Sequence, residues 1–449
     1  MKVFIKTYGC QMNIRDSEAM AGMLKNAGHE MVDHESKADL LLFNTCSVRE
    51  AAENKAIGKI GFMQKLKKNN PNLIIGVMGC MAQSKGDELF ARLPHLDFVL
   101  GTGQLHKLLE TIENLEEERK QLLLTTESNE VLTQMGVHYN NGDESDFCNY
   151  SSFIAITRGC NRFCSYCIVP YVRGREISRT IEDVVAEAKD LVANGTREIT
   201  LLGQNVAAFG LGGNVNPPAE GVSPFADLLI ELNKIEGLER IRFTSPYVSY
   251  FNDKLIQAMA DCKKVCHNVH LPLQSGSNRI LKLMNRQYTR EMYLEKVAKM
   301  RSLMPDITFS TDIIVGFPGE TEEDFLETKT LMEEVGYDNA YIFKYSPRKG
   351  TKAAAMADQI PQEVKENRNQ VLLQVLRETV ERDIKKLVGT TQELLVEGVT
   401  KTNKERFFGK TSTAWVVNFV PNENTKVGDI VKVHINQANR VTAVGELIS

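Results

Sequence analysis

The sequence predicts an α/β protein in three parts: an amino-terminal parallel α/β domain, a closed or partly open (βα)6 barrel, and a small carboxy-terminal antiparallel β-barrel. Three observations carry that expectation. Short apolar runs alternate with helical patterns over roughly the first 125 residues. The alternation restarts at Phe153 and repeats six times, and beyond Leu387 it gives way to short strands separated by Gly, Asn and Lys. A length of 449 residues suits about three domains of ~150 residues each.

In the first part, residues 2–7, 39–44 and 73–79 are apolar runs of strand length, followed by helical stretches at 16–26, 48–67 and 83–93. Parallel strands need a crossover and a helix supplies it, so βαβαβ reads as a parallel sheet. The polar stretch 126–150, with Asn-Asn-Gly-Asp-Glu-Ser-Asp at 140–146, reads as a crossing between domains. Barrel strands are expected at 153–157, 198–202, 240–244, 268–271, 307–315 and 339–343. Helices are expected at 181–194, 225–234, 253–260, 290–304 and 322–334, and a charge-rich helix from 363 to 386 leads into tail strands at 392–399, 414–419 and 430–435. The expected division is 1–128, a linker at 129–150, 151–384 and 385–449.

Composition excludes several classes. With 42% hydrophobic and 25% charged residues the chain is neither wholly disordered nor collagen-like nor a disulfide miniprotein. It holds no run of ~18 apolar residues, and its start breaks too early for a signal peptide, so a cytoplasmic protein without a membrane span is expected. A net charge of −4 excludes coating of nucleic acid by bulk positive charge. Residues 385–449, however, carry seven Lys and two Arg against five Glu and one Asp, a net +3. That basic tail points to a local nucleic-acid face or to a merely solubilising barrel.

The nine cysteines stand at 10, 46, 80, 148, 160, 164, 167, 262 and 266. An odd set in a reducing compartment favours metal or redox chemistry over disulfides. Cys160, Cys164 and Cys167, in Thr-Arg-Gly-Cys-Asn-Arg-Phe-Cys-Ser-Tyr-Cys directly after the first barrel strand, have the spacing C-x3-C-x2-C. Three thiolates on one loop hold three irons of a [4Fe–4S] cluster and leave the fourth open to a ligand. Structural zinc wants four ligands, and no nearby His or fourth Cys completes the set. The loop lies at the carboxyl end of a strand, where barrel active sites are built. Cys10, Cys46 and Cys80, 36 and 34 residues apart, each stand just beyond an expected strand. In a parallel sheet those exits lie side by side at the ligand-binding edge, which points to a second three-cysteine cluster. Cys262 and Cys266, with His267 beside them, sit where a helix runs into a strand, and packing is the expectation there.

The cysteine loop on a (βα)6 barrel resembles the radical S-adenosylmethionine enzymes. That resemblance implies that the open iron chelates S-adenosylmethionine and that reductive cleavage yields a 5′-deoxyadenosyl radical. It also implies Tyr166 near the adenine, Gly203 and Gln204 near the methionine end, and close approach by the turn containing Gly316, Gly319 and Glu320. The whole arrangement resembles the methylthiotransferases, and the tail resembles their TRAM domain. Four runs carry the likeness: Tyr-Gly-Cys-Gln-Met-Asn at 8–13, Cys-Ser-Tyr-Cys-Ile-Val-Pro-Tyr-Val-Arg-Gly-Arg-Glu at 164–176, His-Leu-Pro-Leu-Gln-Ser-Gly-Ser at 270–277, and Ser-Thr-Asp-Ile-Ile-Val-Gly-Phe-Pro-Gly-Glu at 310–320. They look most like the branch that acts on isopentenyladenosine in tRNA. The ribosomal-protein branch usually reads Gly-Cys-Pro-Lys-Asn at the first cysteine, and the threonylcarbamoyladenosine branch Gly-Cys-Arg-Val-Asn. Two departures stand out: Val-Ala-Ala-Phe at 206–209 where the family often has Val-Asn-Ser-Tyr, and Ser-Pro-Tyr-Val at 245–248 where it has Ser-Pro-His-Pro.

The resemblance implies methylthiolation of carbon 2 of the modified adenine, with two [4Fe–4S] clusters and two S-adenosylmethionine molecules per turnover, sulfur arriving at the auxiliary cluster on Cys10, Cys46 and Cys80. It implies the tRNA anticodon stem-loop as partner, an electron donor and a sulfur source. Arg173, Arg175 and Arg179 are candidates for phosphate or cofactor contact, or for a salt-bridged surface. Lys404, Arg406, Phe407, Phe408 and Lys410 interleave cations with aromatics as base-stacking surfaces do, although either phenylalanine equally suits the core. Alternatives are the same chemistry on threonylcarbamoyladenosine or on a ribosomal-protein side chain and, from another class, a non-catalytic iron–sulfur or zinc RNA-binding protein.

Overall fold

A computed structural model describes residues 1–47, 50–126, 150–214 and 216–448. Cys148 and nearly all of the expected linker 129–150 lie outside the described residues. Six strands, β1 (Lys2–Tyr8), β2 (Glu30–Met31), β3 (Leu40–Thr45), β4 (Ile74–Gly79), β5 (Phe98–Leu100) and β6 (Leu122–Leu124), form one sheet in the order β2-β1-β3-β4-β5-β6. Every pairing in it is parallel. Three strands were expected; the others are two or three residues long, too short to read as apolar runs. β3 and β4 are buried at every position because helices cover both faces. The expected helix at 83–93 is two, Cys80–Lys85 and Asp87–Arg92, broken at Gly86, whose φ of 45° is left-handed. The helix at 48–67 likewise divides, into Glu50–Phe62 and Gln64–Asn69.

The second part begins with β7 (Ser151–Ala155), and two short antiparallel strands, β8 (Thr157–Arg158) and β9 (Ile177–Ser178), flank the cysteine loop. β10 (Glu198–Leu202), β11 (Arg240–Phe243), β12 (Asn268–His270), β13 (Thr308–Val315) and β14 (Asn339–Lys344) follow, each near its expected place. They form two three-stranded parallel sheets, β7-β10-β11 and β12-β13-β14, linked where Ile241 bridges Val265. Among the described residues nothing pairs β14 with β7, so the barrel is an open arc. Ile154, Ile199, Leu201, Ile241, Phe309 and Ile313 belong to one continuous core shared with the helices. The long helix Gln362–Ile384 lies along β14.

The tail is a closed five-stranded barrel of β15 (Thr391–Val399), β16 (Phe407–Lys410), β17 (Val416–Val420), β18 (Ile430–Asn439) and β19 (Thr442–Leu447), around Leu394, Val396, Val417, Phe419, Val433 and Ile435. It is antiparallel except that β17 and β19 run parallel. It docks at the amino-terminal ends of the larger barrel's strands. Arg240 donates to the carbonyls of Lys410 (2.7 Å) and Glu393 (3.1 Å), Arg242 to those of Thr411 (2.8 Å) and Ser412 (3.0 Å), and Thr308 Oγ1 to that of Thr413 (2.8 Å). Among the described residues no helix is long and apolar enough to cross a membrane.

Candidate active site

Strand register brings the first cysteine set together. Tyr8 pairs with Thr45 and Thr45 with Gly79, so Cys46 and Cys80 leave neighbouring strands at the same level and Cys10 leaves the third two residues on. β1 and β3 are where the strand order reverses, the place where open α/β sheets bind ligands. Cys10 caps the helix Gln11–Asn26, its carbonyl accepting from Asn13 N at 2.9 Å, and its thiol donates to Asn13 Oδ1 at 3.3 Å. Asn13 Nδ2 in turn donates to Asn44 Oδ1 (2.9 Å) and the Thr45 carbonyl (3.1 Å), which fixes the first cysteine turn to the second strand exit. Gly79 has φ 92°, and a Cβ there would collide with Asn44 Oδ1 and the Thr45 carbonyl. Burial pushes the Cys80 thiol up, opposed by Arg173, while Cys10 adds to the rise.

The second set lies on a loop pinned by main-chain bonds. Cys160 N donates to the Gly174 carbonyl (3.2 Å), Ser165 N to that of Met284 (3.1 Å), and Cys167 N to that of Cys164 (3.0 Å). Gln204 Oε1 accepts from Gly159 N at 2.5 Å, so its side chain ties the loop after β10 to the cysteine loop. Gly203 is bare because a Cβ would strike Thr157 Oγ1, a buried hydroxyl without a partner among the described residues. Burial pushes Cys160 up to about 11 and Cys167 higher still, and the neighbouring thiols add to both.

Among the described residues no three His, Cys, Asp or Glu side chains converge on a point as ligands of one metal ion do. A cubane cluster makes a different demand, since each cysteine binds its own iron. The donor sets fit that demand: all-sulfur, three per site, one on a single loop and one on three adjacent strand exits.

Tyr166 packs with Phe317, Tyr345, Met284 and Ile280, so the aromatic of the cysteine loop meets the turn after β13. Gly316 (φ 69°) leaves room that a Cβ would take from Lys365, and Gly319 has φ 78°. Glu320 Oε1 accepts from Gly316 N (2.9 Å) and Arg368 Nη1 (2.7 Å), so the carboxylate braces the turn. Sequence reasoning missed Arg286, half-buried between Tyr247 and Tyr288 and donating to Cys164 Sγ at 3.4 Å. It also missed Glu176, pushed up to about 7 by burial, with an Oε1 that has no partner among the described residues and a charge felt by Cys160. Only the position of each within its quoted or adjacent motif could have flagged them.

The seam between the first domain and the large barrel is ionic and buried. Asp16 receives Arg158 Nη1 at Oδ1 (3.2 Å) and Arg173 Nη2 at Oδ2 (3.1 Å), with exposures of 3%, 5% and 6% for the three residues. Arg15 and Arg179 both pair with Glu187. Arg173 is therefore corrected: it is buried in the seam, out of reach of phosphate, whereas Arg179 is half-buried and salt-bridged to Glu187. In the tail, Phe407 packs edge-on against Phe419 inside the barrel, and Lys410 pairs with Glu397 at 2.9 Å. Phe407 is thus half-buried against the barrel core, and Lys410 is ion-paired. Arg175 is exposed over the Phe163 ring (4.5 Å), Lys404 is exposed, and Arg406 and Phe408 are half-buried. Cys262 and Cys266 are buried in packing, and His267 pairs with Asp306.

Comparison with known proteins accounts for all three parts. Residues 2–101 match the uncharacterized protein family UPF0004, residues 154–332 the Radical SAM superfamily and residues 385–448 the TRAM domain. The tRNA-2-methylthio-N(6)-dimethylallyladenosine synthase of Clostridium botulinum strain Hall is 45% identical over 448 residues, covering 99% of this chain and 96% of that protein. The protein of the same name from Akkermansia muciniphila is 45% identical over 458 residues, covering 99% and 98%. Among solved structures, the radical S-adenosylmethionine methyltransferase TsrM from Kitasatospora setae superposes with a TM-score of 0.58 at 14% identity, over 79% of this chain and 77% of that one. The cobalamin-dependent S-adenosylmethionine radical enzyme OxsB gives 0.52 at 14% identity, over 85% and 56%. These two share the fold.

Proposed function

The chain belongs to the tRNA-2-methylthio-N(6)-dimethylallyladenosine synthase family, and from that premise we propose that it inserts a methylthio group at carbon 2 of N6-dimethylallyladenosine (isopentenyladenosine) next to the anticodon of tRNA. It is a radical S-adenosylmethionine enzyme that uses iron–sulfur chemistry. The observation that carries the substrate is the 45% identity over 99% of the chain to proteins bearing that name. The cysteine arrangement supports a count of two clusters: Cys160, Cys164 and Cys167 hold the one that meets S-adenosylmethionine, and Cys10, Cys46 and Cys80 hold the auxiliary one. We divide the chain accordingly at 1–128, 129–150, 151–384 and 385–449.

When bound, the cluster and S-adenosylmethionine supply a radical strong enough to take hydrogen from an aromatic carbon that acid/base catalysis leaves untouched. The chain's own residues do the rest by position. Tyr166, backed by Phe317 and Tyr345, offers an aromatic face beside the cysteine loop for the cofactor's adenine. Gly203, Gly316 and Gly319 leave main chain bare for close approach, with Gln204 and Glu320 bracing the two turns. Arg175, Lys404, Arg406 and Phe408 are the surface candidates for the anticodon stem-loop, whose unpaired bases are read by stacking and edge contacts. An electron donor and a sulfur source are required partners.

The test is anaerobic reconstitution with iron and sulfide, followed by incubation with S-adenosylmethionine, dithionite and tRNA bearing dimethylallyladenosine, and then nucleoside mass spectrometry. A gain of one methylthio group, absent in Cys46→Ala, is the expected result. Release of 5′-deoxyadenosine with an unchanged nucleoside overturns the substrate assignment and leaves the radical barrel standing.

A further inference from the structure

The two cysteine sets are joined by one short element. The helix Val169–Arg173 starts two residues beyond Cys167, and Ile168 and Val172 form a single buried cluster with Cys80. Arg173, the last residue of that helix, is therefore carried by the loop of one cysteine set into the surroundings of the other. Its Nη2 is fixed by Asp16 Oδ2 (3.1 Å) and Asn13 Oδ1 (3.3 Å), the same oxygen that accepts from the Cys10 thiol. Its Nη1 is buried without a hydrogen-bond partner among the described residues. Burial works against the guanidinium's charge, and nearby Cys80 and Asp16 offset that cost.

Charge is out of balance at this point of the seam. Arg158 and Arg173 share Asp16 as their carboxylate partner among the described residues, so two buried cations face one anion. The sulfurs of Cys80 and Cys10, both close enough to act on Arg173, supply negative charge there once they carry iron. Arg286 stands in the same relation to the other set, donating to Cys164 Sγ. Hydrogen bonds to cluster sulfurs and nearby net charge are the protein's main levers on a cluster's potential.

Resting on the two-cluster reading, we propose that Arg173 is a positioning residue for the auxiliary centre: clamped by Asp16 and Asn13, it donates its remaining N–H groups to the sulfur shell at Cys80, fixes that centre against the loop of Cys160, Cys164 and Cys167, and raises its reduction potential. The cation favours the more negative, reduced state. Its fork is needed for simultaneous contact with Asp16 and the sulfur shell, which a lysine's single ammonium does not match.

The test isolates the auxiliary centre in full-length protein carrying Cys160→Ala, Cys164→Ala and Cys167→Ala, reconstituted with iron and sulfide. Iron and sulfide are counted, and the centre is titrated with dithionite under redox mediators while its electron paramagnetic resonance is recorded. Four irons per chain are expected; fewer than two sinks the underlying two-cluster reading, an outcome distinct from failure of the role given to Arg173. Adding Arg173→Gln is expected to keep the iron, lower the potential and alter the resonance, with Arg173→Lys restoring most of the potential and less of the line shape. An unchanged potential and spectrum in Arg173→Gln overturns the proposal. Should Arg173→Gln fail to yield folded protein, Arg173→Lys carries the decision through its line shape: an altered spectrum supports the proposal and a wild-type spectrum overturns it.

Discussion

Replacing Asp16 by Asn removes the one carboxylate that Arg158 and Arg173 share while keeping the shape of the side chain. With all three residues 3–6% exposed, the variant leaves two guanidinium groups out of water and without a counter-charge. Breaking a buried pair from one side typically costs about 3–5 kcal/mol. The lower figure is the better guide, because Arg158 keeps the Thr102 carbonyl (2.5 Å) and Arg173 keeps Asn13. A loss of about 3 kcal/mol is roughly two powers of ten in an equilibrium constant. Global unfolding of a three-domain chain is not two-state, so the assay is amide hydrogen exchange on the metal-free protein, read over the helix Gln11–Asn26 and residues 169–173. Protection there is expected to fall by about a hundredfold, and by less once iron and sulfide have been reconstituted, because the cluster then supplies an anion. Asp33→Asn is the control: that carboxylate pairs with Lys37 in solvent and is expected to change nothing. Protection that stays within threefold of wild type in metal-free Asp16→Asn refutes the seam as an electrostatic joint.

Gly79→Ala forces a Cβ against Asn44 and the Thr45 carbonyl at a left-handed φ, and is expected to halve iron per chain while release of 5′-deoxyadenosine persists; full iron loading would show that the strand exit tolerates the shift. Asp338, whose carboxylate accepts from Phe309 N at 2.8 Å, is pushed up to about 6 by burial. A raised acid stabilises the fold only while protonated, so its contribution is complete below its ordinary value of 3.8 and is lost as pH rises through about 6. Asp338→Asn keeps the acceptor and is expected to stabilise by about 2 kcal/mol at pH 8, the gain in melting temperature shrinking towards pH 5; a gain independent of pH contradicts the assignment. Arg242→Ala removes two bonds to the carbonyls of Thr411 and Ser412 and unpairs Glu198, a loss of about 2–4 kcal/mol at the docking face. Limited proteolysis near residue 388 is expected to speed up at least tenfold, and an unchanged rate would place the attachment elsewhere.

The candidate cysteines were legible because strand exits are local facts: an apolar run, a Gly or a Thr and then Cys at 10, 46 and 80 mark the edge of a parallel sheet before any partner is known. β2, β5 and β6 were not legible, since two or three apolar residues carry no period. Arg173 and Arg179 read as solvent-facing because nothing in their own stretch shows what covers them. The burial of Arg173 follows from the helix Gln11–Asn26, some 150 residues earlier in the chain, docking on the barrel and bringing Asp16 with it. Phe407 and Phe408 differ for a similar reason. Alternation along β16 says that they face opposite ways, but only closure of the small barrel decides which side is inside. The bracing role of the Glu320 carboxylate was not legible, because its partner Arg368 lies on a helix no local pattern connects to that turn.

The small barrel is gripped through main-chain carbonyls at 393 and 410–413 by Arg240, Arg242 and Thr308, at the amino-terminal ends of strands whose carboxyl ends carry the cysteine loop. A ligand touching both ends at once must run the length of a barrel strand; β13, at eight residues, spans about 26 Å. A free nucleoside does not cover that distance, whereas a folded stem with its loop does. A substrate that met both ends would be measured as well as read, against a ruler whose far end is fastened by backbone.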